Sequence, residues 1–181
     1  MKSVLLVVAV VCPMLACGGV PTRPIAPGDA APVPGTRSWE SLGRALPGTW
    51  FASIGEHRIE VHYALTSRGT VLLETWMPGT AAETVSTMHL DGEHLMLTHY
   101  CGQGNQPRLR LVASTEPEHV FVRFDATDLT DDEAALSRLS LALEGDELTR
   151  IETYVRGDES ETSTLSFHRE ALGDSQAAGT N

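Results

Sequence analysis

The chain has 181 residues and a formal net charge of −11, from 24 Asp and Glu against 13 Lys and Arg. Lys2 is the only lysine, so the rest of the chain carries 12 arginines as its fixed cations. A balance this acidic argues against nucleic acid and anionic lipid as partners, since both require clustered positive charge.

The opening stretch, MKSVLLVVAVVCPMLAC, sets Lys2 before a run of about ten apolar residues that starts at Val4. Such a run is too short to span a bilayer and has the pattern of a secretory signal. Its last four residues, MLAC at 14–17, resemble the bacterial lipobox. That resemblance implies that Cys17 receives a diacylglycerol and becomes the mature N-terminus; the other reading is a plain cleaved signal with Cys17 a bystander. Residues 18–37, GGVPTRPIAPGDAAPVPGTR, have no apolar period and read as a tether between anchor and domain. Gly18 stands where an Asp is absent, which by the lipoprotein resemblance implies outer-membrane delivery, facing the periplasm or the cell surface. Membrane contact is expected through the anchor only. With Cys12 in the signal and Cys17 acylated, Cys101 has no intrachain mate and no disulfide is expected. Roughly 135 residues, 38–172, remain for one folded core, with a disordered tail expected at 173–181.

Ser38 is the expected cap of a short helix through SWESLGRAL, and Pro47-Gly48 stops it. The period then changes to two. In RIEVHYALT, Ile59, Val61, Tyr63 and Leu65 share one face, with Glu60 and His62 on the other. SRG at 67–69 is a turn before TVLLETWMP, and Asp91-Gly92 joins TVSTMHL to HLMLTHYC as a hairpin. RLRLVAS, HVFVRFDAT, LSRLSLALE, LTRIETYV and STLSFHRE complete the series, with turns at 144–147 and 156–160. DLTDDEAAL at 128–136 has helical leanings, with Thr130 or Asp131 as its cap. The predicted fold class is all-β: a single antiparallel meander closed as a barrel, because closure removes exposed edges.

LPGTW after a short helix, followed by such a meander ending in STLSFHRE, resembles the lipocalin and calycin group of β-barrels. The resemblance implies that Trp50 plugs the closed end and that the barrel holds a cavity. GTVLLETW and LTHYCGQGNQPR also resemble a set of bacterial lipocalin-like lipoproteins with no established activity. The likeness covers about residues 39 to 170.

Leu95, Leu97, His99 and Cys101 alternate onto one face, which its leucines assign to the interior, so His99 must find a polar partner. Glu74 and Trp76 share a face with Leu72, and Gln103, Asn105 and Gln106 fill the adjoining turn. Cys101 reads either as a thiolate activated by His99 or as a small buried hydrophobe; no orienting acid or oxyanion donor is visible, which favours the second. Arg108 and Arg110 alternate with leucines toward solvent, whereas Arg150 and Glu152 share a face with Leu148 and Tyr154 and suit an internal pair. No zinc motif appears among the seven histidines, His168 falls on an outward position unsuited to haem, and TDDE at 130–133 lacks the spacing of a calcium loop. No metal or cofactor is expected, and an enzyme is the weaker reading. The expected function is binding of a small, largely apolar ligand, with Glu74, Trp76, His99, Tyr100, Cys101, Asn105 and Gln106 as contacts. The rival is an envelope protein with a filled barrel that serves as a structural or interaction module.

Overall fold

The computed structural model describes residues 34–115, 120–129 and 134–169. The signal, Cys17, most of the tether, the 173–181 tail and the caps expected at Thr130 or Asp131 lie outside the described residues. One helix, α1 (Thr36–Ala45), precedes ten strands: β1 (Gly48–Ile54), β2 (His57–Thr66), β3 (Val71–Trp76), β4 (Thr84–Asp91), β5 (His94–Tyr100), β6 (Arg108–Thr115), β7 (Val120–Ala126), β8 (Ala135–Glu144), β9 (Glu147–Arg156) and β10 (Glu159–Arg169). Every strand pairs antiparallel with its chain neighbour, and β1 closes on β10 through Trp50 opposite Arg169 and Phe51 opposite His168. The architecture is therefore an all-β closed meander barrel, as the period-two pattern predicts. Ten strands enclose a wider interior than eight would.

The alternation of apolar and polar residues decides which side of each strand faces in. On β5, Leu95, Leu97 and His99 are buried while His94 and Tyr100 are exposed. On β2, Val61 and Tyr63 are buried while His62 is exposed; Leu65, at the strand end, is 43% exposed. The turns fall where glycine supplies positive φ, as at Gly92 (φ 59°) after Asp91. Ala135 and Leu136 begin β8, so the helical leaning of 128–136 is corrected there. Tertiary pairing with Tyr154 and Val155 of β9 overrides a weak local preference.

Helix α1 lies across one end of the barrel. It begins two residues before the expected cap: Gly35 holds the N-cap position, no side chain caps the helix, and Ser38 is buried inside its first turn. The Gly35 amide donates to the Glu93 carbonyl at 2.7 Å, and this contact brings the helix start against β5. Leu42 and Leu46 are fully buried over the core formed by Trp50, Leu72, Met88, Leu97, Leu111, Phe124 and Phe167. Trp50 fills the closed end, its indole N–H donating to the Leu46 carbonyl at 2.8 Å. The Arg169 guanidinium stacks 4.3 Å from the Trp50 ring centre and donates to the carbonyls of Pro47 and Ala45. Trp50 thus locks helix, first strand and last strand together.

Two glycines in this region should respond oppositely to alanine. A Cβ at Gly35 would sit 2.4 Å from Leu95 Cβ and 2.5 Å from its backbone nitrogen, so Gly35→Ala forces helix and strand apart. Gly43 has only ordinary contact, 3.9 Å from Leu65. Denaturant unfolding should show Gly35→Ala losing about 1–3 kcal/mol and Gly43→Ala gaining about 0.5–1 kcal/mol from helix propensity. Equal effects would refute this account of the helix junction.

Candidate functional site

Four neighbouring strands set one polar side chain each in a single row across the inner wall. Tyr63 on β2 is the register partner of Glu74 on β3, Glu74 of Ser86 on β4, and Ser86 of His99 on β5. All four are nearly or fully buried, and Arg150 reaches them from β9 across the lumen. Its Nη1 lies 2.5 Å from Glu74 Oε2 and its Nη2 3.1 Å from Oε1, a bidentate fork. Tyr63 donates to Oε2 at 2.8 Å and Ser86 to Oε1 at 3.0 Å, so the carboxylate accepts four hydrogen bonds. Arg150 Nε donates to Glu152 Oε1 at 2.7 Å, and its guanidinium carbon lies 5.3 Å from the Trp76 ring centre.

Proton positions follow from this network. An ionised Glu74 only accepts, so the single Ser86 hydroxyl proton points to it. Ser86 Oγ, 3.0 Å from His99 Nδ1, must then accept from an Nδ1–H. That leaves His99 Nε2 as an acceptor for the Tyr154 hydroxyl, 3.3 Å away. A directed chain runs from Tyr154 through His99 and Ser86 to Glu74. It has no catalytic triad sense, because the serine proton points away from the imidazole.

Charge states agree with the geometry. Burial opposes ionisation of Glu74, but the Arg150 charge and the hydrogen bonds from Arg150 and Tyr63 overcome it and hold the carboxyl below its usual value. Burial likewise opposes the Arg150 charge, and Glu74 and Glu152 outweigh it. For His99 burial wins over the attraction of Glu74, so its pKa is lowered and the ring is neutral near pH 7. Burial and the neighbouring carboxylates raise the Tyr63 and Tyr154 phenols, which stay protonated donors.

The hairpins at the end opposite α1 frame the mouth. Trp76 points inward, half-buried, edge-on to Phe167 with ring centres 5.8 Å apart. Cys101 is a half-buried free thiol at the start of the turn. Neither of the two His99 ring nitrogens bonds to it, since Ser86 and Tyr154 engage both. Tyr100, expected as a contact, lies on the outer face and is 47% exposed, because it alternates with the inward His99. Asn105 and Gln106 serve the turn: Asn105 Nδ2 donates to the Ala134 carbonyl at 2.9 Å and Gln106 Nε2 to that of Gly104 at 2.8 Å. Thus Glu74 and His99 join one network, Trp76 packs beside it, and Tyr100, Asn105 and Gln106 stand apart. His168 is on the outside, 3.7 Å from the Glu147 carboxylate, and among the described residues no three His, Cys, Asp or Glu side chains gather as a metal site. Tyr63, Ser86 and Tyr154 are network members that the ligand-contact set omitted; Tyr63 shared an assigned face with Val61, whereas Ser86 is legible only once register joins β3 to β5. Tyr154 also lines a cavity of about 340 Å³ with Ala134, Val155, Arg156 and Glu159.

No protein-family model matches the chain, and no curated protein matches its sequence. Among solved structures the chain is similar to Rv2717c from M. tuberculosis, with a TM-score of 0.48 and 15% identity over 78% of this chain and 100% of that one. A likeness at that level bears on no residue of the site. The closed antiparallel meander rests on the strand register itself.

Breaking the buried pair on one side should cost more than removing both charges. Glu74→Leu alone should lose about 3–5 kcal/mol, and adding Arg150→Met should recover much of that. Denaturant unfolding of the double-mutant cycle tests this, and additive losses would refute the coupling. Acid should act in two stages. Because the folded-state pKa of His99 is lowered, the unfolded chain binds its proton first, and stability falls as pH drops from about 7 toward 5. The Glu74 contribution is complete above the ordinary carboxylate value and is lost as pH falls through the lowered folded value. His99→Gln should abolish the first stage and leave the second.

Proposed function

We propose that this chain is a membrane-anchored binder of a small, largely apolar ligand, held in the mouth half of its lipocalin-like barrel. The observation that carries the reading is the change of exposure along the inward faces. On β3 it runs from Leu72 at 0% and Glu74 at 1% to a half-buried Trp76. On β9 it runs from Leu148 at 1% and Arg150 at 2% to half-buried Glu152 and Tyr154. Ile59, Cys101 and Leu165 follow the same pattern on their strands. A lumen packed to its rim would bury these side chains. Instead they form an apolar wall with a few fixed polar groups, the usual anatomy of a small-molecule site.

The polar row is the floor of that site and sets the ligand's chemistry. A ligand that displaces the Tyr154 hydroxyl must offer an O–H or N–H to His99 Nε2, or it leaves a buried acceptor unpaired. The Arg150 fork is already occupied by Glu74 and Glu152, so a ligand carboxylate has no free cation there. The ligand is accordingly neutral and apolar, with a hydroxyl or amide at one end. One observation favours the filled-barrel interaction module instead: the four hydrogen bonds to Glu74 satisfy it without any ligand. Anchoring through a lipid on Cys17, with outer-membrane placement toward the periplasm or surface, rests on the lipobox resemblance of MLAC.

Native mass spectrometry of the protein after equilibration with bacterial lipid extracts tests both parts. The expected result is a reproducible neutral-ligand adduct lost on denaturation, with retention roughly tenfold weaker in Trp76→Ala and unchanged in Tyr100→Ala. A clean apo mass across extracts would move the assignment to the filled barrel. The protein isolated from bacterial envelopes should carry a diacylglycerol mass that Cys17→Ser lacks; an unmodified wild-type mass would remove the anchor.

A further inference from the structure

A second cavity lies at the opposite end of the barrel from the mouth. It measures about 530 Å³ and is lined by Pro34, Thr36, Arg37, Ser38, Ser114 and Thr115. Three of these residues form the first turn of α1. The first intrahelical bond is donated by Trp39 to the Gly35 carbonyl, so the amides of Thr36, Arg37 and Ser38 have no acceptor within the helix. No side chain caps them, and the first turn holds no acidic residue. Independently of the helix end, Ser38 is 1% exposed and its hydroxyl has no hydrogen-bond partner. A buried hydroxyl left unpaired is costly and calls for a partner.

We propose that this cavity binds the phosphate group of a phosphate ester. Among the described residues the lining supplies donors and no carboxylate: backbone amides at a positive helix end, hydroxyls on Thr36, Ser38, Ser114 and Thr115, and the Arg37 guanidinium. A tetrahedral oxyanion with several acceptor oxygens uses such a set more fully than a two-oxygen carboxylate does. The volume exceeds what a bare phosphate fills and leaves room for the group esterified to it. Glu40 and Glu93 are exposed neighbours of the helix start, and the net charge of −11 opposes long-range attraction. Recognition is thus by contact with one phosphate, carried by a soluble ester or by a zwitterionic phospholipid headgroup, and it differs from attraction to an anionic surface. Pro34 continues the segment that begins at Cys17, so the cavity stands where the tether enters the domain.

The test is a titration of the full chain in dodecyl maltoside, followed by amide NMR, with inorganic phosphate against chloride at equal ionic strength. Saturable shifts at Thr36, Arg37, Ser38, Ser114 and Thr115 are expected with phosphate only. Arg37→Gln and Ser38→Ala should each weaken binding by about tenfold, with unchanged spectra elsewhere reporting an intact fold. Phosphatidylcholine vesicles then separate the sources. Binding that phosphate competes away, and that Arg37→Gln weakens, assigns a headgroup; phosphate binding without vesicle binding assigns a soluble ester. Absence of saturable shifts, or equal affinity in Arg37→Gln and Ser38→Ala, overturns the site.

Discussion

The buried pair of Glu74 and Arg150 is the constraint on which the interior depends. A carboxylate 1% exposed and a guanidinium 2% exposed can both stay charged only if each is almost completely paired. That demand fixes the inner layer: Tyr63 and Ser86 supply Glu74 with its remaining donors, and Glu152 takes the outer side of Arg150. It also fixes β9 relative to β3 across the lumen, since a slip of one residue would turn Arg150 to the outside. The pair therefore acts as a register device, while net stability comes from the apolar layer below it.

The same layer divides the barrel. Toward α1, Trp50, Leu97, Leu111 and Phe167 fill the lumen and the Arg169 stack seals it. Toward the mouth, inward side chains become more accessible on β2, β3, β9 and β10, while Leu109, Ala126 and Leu136 on β6 to β8 stay buried. His99 stands at the boundary, with one ring nitrogen tied to the buried pair through Ser86 and the other facing Tyr154. One imidazole thus joins Tyr154 at the mouth to Glu74 by way of Ser86.

Much of this was readable from period two. Alternation alone assigns the strand faces containing Leu72, Glu74 and Trp76, or Leu95, Leu97 and His99, and the same rule puts Arg150 beside Glu152 and His168 outside. What alternation does not carry is which inner faces meet. Arg150 is 76 residues from Glu74, and no local pattern announces that pairing. Ser86 looks like an ordinary small strand residue until two registers align it between Glu74 and His99. The helix start moved from Ser38 to Gly35 for a related reason: a local cap preference of about 1 kcal/mol yields to the close approach of Gly35 to Leu95, which only a residue without Cβ permits. The 128–136 leaning failed where partners on β9 drew Ala135 and Leu136 into a strand.

The polar layer also bears on why such a barrel would keep charges inside. On β6 and β8 leucines flank the layer, Leu109 opposite Leu97 and Leu141 opposite Arg150, and both are fully buried. Replacing a buried ion pair with well-packed apolar residues is often neutral or stabilising by about 1–4 kcal/mol. A barrel selected for stability alone would have little use for Tyr63, Glu74, Ser86, His99 and Arg150 in one buried cluster. They form a polar layer above the apolar core, in which His99 Nε2 accepts from the Tyr154 hydroxyl on the mouth side. On the binding reading, register control and ligand recognition are thus two consequences of the same five side chains.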